Sequence, residues 1–186
     1  LLHNIYYRTI SNRNISSIER MSKDYNLYIK FFVCDARQTI NKLEGHYNFI
    51  FHDGFTPSKL PTLWSVDFLS KLYLLLDDSG NITTYTSAVA IRSGLREAGF
   101  STGKIISDDK PIGTIAYKNN TLVKNHLNEI ELGLLNTKAG IPYRDNCLCN
   151  TSENIIKNRE QEVLMSAREG ASKFLKDKGL KSNFNQ

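Results

Sequence analysis

Cysteine and long apolar runs are both scarce in this sequence of 186 residues. Three cysteines cannot form a disulfide framework, and Cys147 and Cys149 do not have the spacing of a zinc motif. We therefore expect reduced cysteines, no metal site and a cytoplasmic location. No run of about 18 apolar residues occurs, so the sequence predicts no transmembrane helix, and it shows no secretory signal.

Basic residues exceed acidic ones. The formal net charge is +5 and the sequence pI is about 9.1, which favours a polyanionic partner such as a nucleic acid. Part of the excess lies in the C-terminal "KFLKDKGLK" segment, where a solvated surface is the simpler interpretation. Apolar residues make up 40% of the chain, which is enough for one domain with a core.

Alternating strand and helix patterns begin at about residue 28. Segments rich in β-branched and aromatic residues predict strands, and segments with apolar residues at helical spacing predict helices. The strands are "LYIKFFVC", "YNFIFHD", "NITTYTS", "FSTGKIIS" and "GTIAYKN", and the helices are "ARQTINKL", "LWSVDFLSKLYLLL" (ended by a "DDSG" turn) and "AVAIRSGLREAG" (capped at Gly99). This order predicts βαβ units and a parallel sheet, with "YNFIFHD" buried on both faces.

The same patterns divide the chain into three parts. Residues 1–26 are weakly patterned and contain no convincing strand. Residues 27–150 carry the strands and helices of the main domain. Residues 151–186 form a charged helical tail, in which one helix is predicted over residues 152–175 with Thr151 or Ser152 at its cap.

Polar residues follow three of the predicted strands, namely Asp35, Asp53 and Ser87. Ligands of parallel α/β sheets bind outside the carboxyl ends of the strands, so we expect these residues to converge on a binding site. Each aspartate also has a simpler interpretation, which is capping of the next helix. For Asp53, the "GFTP" that follows favours an active-site loop.

Four segments in order resemble one enzyme family. They are "CDARQTI", "HDGFTPSKLPTLW", "TYTSAVAIRSGLREAGF" and "GIPYRD". They resemble the S-adenosylmethionine (SAM)-dependent methyltransferases that complete 5-methylaminomethyl-2-thiouridine at the tRNA wobble position. In bacteria that domain occurs alone or fused to a flavin-dependent oxidoreductase. Each motif alone is weak, but four in order are specific.

The resemblance implies an α/β, Rossmann-like class I SAM-dependent methyltransferase fold, with a mostly parallel sheet and helices on both faces. It implies SAM as cofactor, tRNA as substrate and a flavin-dependent oxidoreductase domain or protein as a partner. Asp35 and Ala36 would bind near the adenine of SAM. Asp53 would be catalytic, orienting the primary amine of the aminomethyl group and receiving or relaying its proton.

The resemblance also implies a substrate-binding set formed by Phe55, Pro57, Lys59, Ser87 and Arg92. Phe55 would stack on the uracil and Pro57 would help to wall the base pocket, while a core position is the alternative for Phe55. Lys59 and Arg92, together with Arg144, would contact phosphate, and ordinary surface charge is the alternative for each.

His52 and Trp64 flank the implied active-site loop. Strand alternation points His52 and Asp53 to opposite sides, so we expect His52 to be a structural histidine rather than a catalytic one. Trp64 is the single tryptophan of the chain, and we expect it to pack in the core.

Glycine is missing where this family has a glycine-rich cofactor turn. The first glycine is Gly45, and no convincing strand precedes Glu19, the early acidic residue that could bind the ribose. We therefore expect a fold that is incomplete at its N-terminus: part of a longer protein, a decayed gene product, or a sheet that is paired differently. The alternative function is a non-catalytic remnant or tRNA-binding module of the family.

Overall fold

The structure is a computed structural model that describes residues 5–12, 15–22 and 26–180, with side chains described over residues 26–180. The chain divides into two compact units, Leu1–Leu43 and Glu44–Gln186. Each unit has its own hydrogen-bonded sheet. No helix among the described residues is both long enough and apolar enough to cross a membrane.

The first unit contains a three-stranded antiparallel sheet in the order β1-β2-β3. Its elements are β1 (Ile5–Asn12), β2 (Ile15–Ser22), β3 (Leu27–Val33) and the short helix α1 (Ala36–Ile40). The connections are far shorter than the dozen or so residues that a parallel crossover needs, so the strands must pair as hairpins. The expectation that residues 1–26 contain no convincing strand is therefore wrong, and β3 pairs antiparallel with β2 rather than within a parallel βαβ unit.

The second unit contains a four-stranded sheet in the order β4-β5-β7-β6. Its strands are β4 (Tyr47–Phe51), β5 (Leu76–Thr84), β6 (Ser101–Ser107) and β7 (Lys110–Tyr117). β4 and β5 are parallel, and β7 is antiparallel to both β5 and β6. β6 therefore runs in the same direction as β4 and β5, but two of the three strand pairs are antiparallel. The sheet is mixed, so the predicted α/β class is confirmed while the expected parallel pairing holds only for β4 and β5.

The reversal of β7 follows from the turn before it. Asp108 and Asp109 both have positive φ, at 49° and 60°, and Ser107 pairs directly with Lys110. A two-residue turn of this kind joins antiparallel strands. β6 and β7 are thus a hairpin, as the sequence around "DDKPI" allows.

Two expectations about β4 and β5 are wrong. β4 is the terminal strand of its sheet, and Phe49 and Phe51 are 64% and 82% exposed rather than buried on both faces. The "DDSG" segment is not a separate turn, because β5 runs through it from Leu76. The pairing register between β4 and β5 shifts there, which accommodates the extra residues as an irregularity.

The helices of the second unit are α2 (Val66–Leu75), α3 (Val89–Glu97), α4 (Glu129–Leu135), α5 (Ser152–Met165) and α6 (Ala171–Asp177). Gly99 follows α3 with a φ of +106°, which confirms the predicted C-terminal cap. Thr151 caps α5 as predicted. The single helix predicted over residues 152–175 is wrong, because α5 ends at Met165 and the Ser166 hydroxyl instead accepts the Arg168 backbone N–H at 3.2 Å.

The core of the second unit includes apolar side chains of α2, α3 and β5 and of the segment just before α2. The fully buried members include Trp64, Leu69, Leu76, Ile82, Ile91 and Leu95. The expectation that Trp64 packs in the core is confirmed.

Cys147 and Cys149 are joined by a disulfide, whereas Cys34 is a free thiol. The loop that brings the two sulfurs together is organised by Asp145, which is fully buried and accepts the backbone N–H groups of Cys149 and Asn150 at 3.1 and 3.0 Å. The expectation that all cysteines are reduced is therefore wrong, and it no longer supports a location for the protein.

Candidate functional site

The loop after β4 begins at the sheet edge where ligands of parallel sheets bind. The His52 backbone N–H donates to the Thr83 carbonyl at 2.8 Å, which extends the β4–β5 pairing by one residue. His52 is buried and Asp53 is exposed, so the predicted alternation of the two side chains is confirmed. Asp53 is thus the first solvent-facing group beyond the strand.

Trp64 and Tyr85 hold the backbone of this loop. The Trp64 indole N–H donates to the Phe55 carbonyl at 2.8 Å, and the Tyr85 hydroxyl donates to the Gly54 carbonyl at 3.0 Å. A Cβ at Gly54 would lie 3.3 Å from the Trp64 nitrogen, so a larger residue there would crowd the indole ring. The backbone between Asp53 and Phe55 is therefore fixed while both side chains face outward.

Phe55 and Pro57 have opposite environments. Phe55 is 78% exposed, so it is not a core residue, and its ring is available to stack on a base. Pro57 is buried and supports the loop from beneath. The base-stacking role of Phe55 and the pocket role of Pro57 remain predictions.

Ser87 lies in the loop beyond the end of β5, and β5 is the strand that pairs with β4. Because β4 and β5 are parallel, Asp53 and Ser87 both follow carboxyl ends at the same edge of the sheet. The Tyr85 hydroxyl bond to Gly54 joins the two loops directly. Ser87 is exposed, so both polar side chains of this edge face solvent. Asp35 belongs to the first unit.

Arg92 is buried rather than on the surface, at 6% exposure. Its guanidinium donates to Thr114 Oγ1 at 3.0 Å and to Glu131 Oε1 at 3.0 Å. The Thr114 hydroxyl in turn donates to the Thr86 carbonyl at 2.8 Å. The surface interpretation of Arg92 is wrong, and the residue instead stabilises the loop between β5 and α3. A direct phosphate contact by Arg92 remains only a prediction.

Glu131 accepts from a second cation, Lys104, at 2.8 Å. Burial works to raise the pKa of Glu131, but the hydrogen bonds from Lys104, the Asn128 backbone and Arg92 together hold that pKa below its usual value. Glu131 also closes a capping box with Asn128 at the start of α4. It is therefore ionised at neutral pH and shared between two cations.

Lys59 and Arg144 differ in whether a carboxylate binds them. Lys59 is exposed, and no ion pair to it is found among residues 26–180. Arg144 is held by the Glu97 carboxylate and by Glu162, the latter at 3.4 Å. Lys59 thus remains the better candidate for a phosphate contact near the loop.

The His52 ring is enclosed by aromatic side chains. Its centroid lies 4.3 Å from that of Trp64, edge to face, and 6.0 Å from that of Phe68. Burial lowers the pKa of His52 to about 4, although a hydrogen bond with the Leu63 backbone and the nearby Asp53 charge oppose the shift. Its Nε2 has no hydrogen-bond partner among the described residues. His52 is therefore neutral at physiological pH and structural, as expected.

Acid is expected to destabilise the protein through His52. The unfolded ring has a pKa of about 6.5 and the folded ring about 4, so the unfolded state binds the proton more tightly. Stability should therefore fall as the pH drops below about 6.5, by about 2 kcal/mol at pH 5, and level off below about pH 4. Urea unfolding at several pH values measures this effect.

The matched control for this titration is the exposed His126. His52→Phe should remove most of the change in unfolding free energy between pH 7 and pH 5, whereas His126→Gln should keep it. Equal pH profiles for the His52→Phe variant and the wild type would show that another group is responsible.

In the first unit, Asp35 caps α1 and binds Arg37. Its carboxylate accepts the Arg37 backbone N–H at 2.9 Å and the guanidinium at 2.7 Å. The Arg37 hydrogen bond is the main cause that holds the pKa of Asp35 below its usual value, against partial burial. The helix-cap interpretation of Asp35 is confirmed, and Ala36 is the first residue of α1.

Sequence reasoning missed Tyr85, Thr114 and Glu131. Tyr85 lies inside the quoted "TYTS" segment, and its position in the loop could have marked it as a partner of the neighbouring loop. Asn128 and Glu131 show the spacing of a capping box in the sequence. Nothing in the sequence links Thr114 to Arg92, because the contact depends on the packing of α3 against the β7 strand.

The mixed sheet, with polar loops at the carboxyl edge of its parallel strands, is an α/β arrangement of the kind that binds ligands at that edge. The sequence model of the S-adenosyl-L-methionine-dependent methyltransferase family matches residues 2–140. The chain belongs to this family, whose cofactor is SAM.

Two curated relatives and one solved structure illustrate the similarity. An uncharacterized protein of Methanocaldococcus jannaschii is 36% identical over 161 residues, covering 82% of this chain and 44% of that protein. The tRNA 5-methylaminomethyl-2-thiouridine biosynthesis bifunctional protein MnmC of Ralstonia nicotianae is 37% identical over 70 residues, covering 38% of this chain and 11% of that protein. The crystal structure of MNMC2 from Aquifex aeolicus matches with a TM-score of 0.70 and 28% identity, covering 78% of this chain and 48% of that one.

These matches confirm the Rossmann-like methyltransferase fold. This chain covers 44% of the Methanocaldococcus jannaschii protein and 48% of the MNMC2 chain, so it spans less than half the length of each.

The Asp35 carboxylate is the type of acceptor that the adenine amine of SAM requires. In this structure Arg37 occupies that carboxylate through an ion pair, so an adenine amine would have to displace the guanidinium. The adenine-binding roles of Asp35 and Ala36 remain predictions, and no glycine precedes Gly45 in the sequence to approach the methionine end.

Proposed function

We propose that this protein is a SAM-dependent N-methyltransferase that acts on the aminomethyl nitrogen of 5-aminomethyl(-2-thio)uridine at the tRNA wobble position. The observation that carries this proposal is the exposed Asp53 carboxylate on a fixed loop at the carboxyl edge of parallel strands. Beside it stands Phe55, an exposed ring that suits a splayed base. The names of the MnmC relatives support the choice of substrate.

SAM supplies the methyl group when it is bound. The substrate amine must be neutral and correctly oriented, and Asp53 does this by accepting one of its N–H bonds. As the nitrogen acquires a fourth bond and a positive charge, the Asp53 carboxylate stabilises that charge and takes or relays one proton. Phe55 stacks on the pyrimidine ring, and Lys59 contributes a cation for a nearby phosphate.

Labelled methyl transfer from SAM tests this assignment. The expected product is methylaminomethyluridine, formed on tRNA that carries the aminomethyl group and not on tRNA with an unmodified wobble uridine. Methylation of both RNAs, or of neither at saturating SAM, would refute the proposed substrate.

A second candidate function is a tRNA-binding module without catalysis. It is favoured by the Asp35 carboxylate, which Arg37 occupies, and by the absence of glycine before Gly45. Such a module would bind the same RNA through the same exposed loop but would not bind SAM.

The affinity of the 186-residue chain for SAM separates the two functions. Only the adenine end of the cofactor has an identified partner, so we expect a dissociation constant of about 1 mM, near 4 kcal/mol. Calorimetric titration with SAM measures it, and Asp35→Ala should abolish the residual heat while the exposed Asp177→Asn should not. Micromolar binding would show that residues other than Asp35 and Ala36 also hold the cofactor, and no binding at all would favour the module.

A further inference from the structure

A cavity of about 470 Å³ lies in the second unit, away from the Asp53 loop. Its walls come from α3, from the end of α4 and from the connection between α5 and α6. The polar lining consists of Ser93, Arg96, Glu97, Asn136 and Arg168, and the buried Leu135 contributes an apolar part of the lining. No residue predicted from the sequence to bind substrate lines this cavity.

Two exposed guanidinium groups line the cavity, those of Arg96 and Arg168. Among the described side chains, no ion pair to Arg96 or Arg168 is found. The one acidic group of the lining, Glu97, is bound by the Arg144 guanidinium through both of its oxygens. The cavity therefore presents two available cations beside a carboxylate that is already neutralised.

The wall that carries Arg168 is held in place by backbone contacts. The Ser166 hydroxyl accepts the Arg168 N–H at 3.2 Å, and the Lys138 N–H donates to the Glu169 carbonyl at 2.9 Å. Ser93 and Asn136 add a hydroxyl and an amide to the lining. Planar guanidinium groups with such neutral donors suit a tetrahedral oxyanion, above all phosphate.

α3 connects the cavity to the edge of the sheet that carries the Asp53 and Ser87 loops. α3 begins directly after the loop that carries Ser87 and rises about 1.5 Å per residue, which places Arg96 about 10 Å farther along the same helix. We propose that the Arg96–Arg168 cavity binds a backbone phosphate of the RNA substrate, outside the nucleotide that is modified. This inference rests on the proposed function.

The test measures how RNA affinity depends on salt. A fluorescent anticodon stem–loop RNA is titrated with the wild type, Arg96→Gln, Arg168→Gln and a control, Lys157→Gln, which removes an exposed charge on α5 outside the cavity. A phosphate contact that is lost should reduce the slope of log affinity against log salt by about 1. Both arginine variants should show this reduction, and Lys157→Gln should keep the wild-type slope.

Methylation kinetics and an inorganic probe separate the remaining outcomes. The arginine variants should raise the KM for tRNA and leave kcat unchanged. Wild-type RNA binding with unaltered slopes in both variants would overturn the cavity proposal and leave the proposed function standing. Reduced slopes without any methylation would support the cavity and refute the enzyme. Binding of pyrophosphate that depends on Arg96, with unaltered RNA slopes, would assign the cavity to a free phosphate and overturn the RNA proposal.

Discussion

Asp53→Asn is expected to lower the rate of methyl transfer by roughly 10²–10⁴-fold, the loss typical of an acid–base group. Asparagine keeps the size of the side chain and the loop contacts of Trp64 and Tyr85, which involve the backbone of Gly54 and Phe55. It removes the negative charge that stabilises the cationic nitrogen and the acceptor for its proton. The effect should therefore appear in kcat rather than in the affinity for tRNA.

The assay uses tRNA with the aminomethyl group and SAM well above the expected dissociation constant of about 1 mM. Asp177→Asn, an exposed change on α6, is the matched control and should keep the wild-type rate. Unaltered unfolding by urea would show that Asp53→Asn leaves the fold intact. Turnover equal to that of the wild type would remove Asp53 from the mechanism.

The position of Asp53 could be predicted because local signals agree there. A short apolar strand ends at His52, the next residues are Gly54 and Phe55, and alternation alone separates the buried histidine from the exposed aspartate. α2, α3 and the strands β6 and β7 follow from equally local patterns, whereas the reversed direction of β7 was not predicted. Where propensity, periodicity and turn chemistry point the same way, the sequence determines the element.

The features that were missed have two different physical causes. Arg92 lies on a helix whose pattern gives no sign of burial, because its partner Glu131 is 39 positions away in the sequence. The Cys147–Cys149 disulfide lies in a short loop that the buried carboxylate of Asp145 organises. The antiparallel pairing of β3 follows from strands before it that carry weak periodicity. The first error reflects a tertiary contact without a local signal, whereas the other two concern local segments whose pattern is weak.

The buried ion pair between Arg92 and Glu131 should be the most important polar contact for stability in the second unit. Glu131→Leu leaves the Arg92 guanidinium almost fully buried with only the Thr114 hydroxyl as a partner. Breaking a buried pair in this way costs about 3–5 kcal/mol. Because the Glu131 side chain is 22% exposed, we expect a loss of about 3–4 kcal/mol in the free energy of unfolding.

Urea unfolding followed by circular dichroism measures this loss, with Glu129→Leu as the matched control. Glu129 lies in the same first turn of α4 but is exposed, so its replacement should change stability by no more than about 0.5 kcal/mol. Equal losses for the two leucine variants would show that the Arg92–Glu131 ion pair makes no specific contribution to the free energy of unfolding.

The double variant Arg92→Met with Glu131→Leu distinguishes an unpaired charge from lost packing. If the cost of Glu131→Leu comes from stranding the Arg92 charge, removing that charge as well should recover part of the stability. The two changes should then differ from additivity by about 0.5–3 kcal/mol. Additive losses would mean that the charges do not interact.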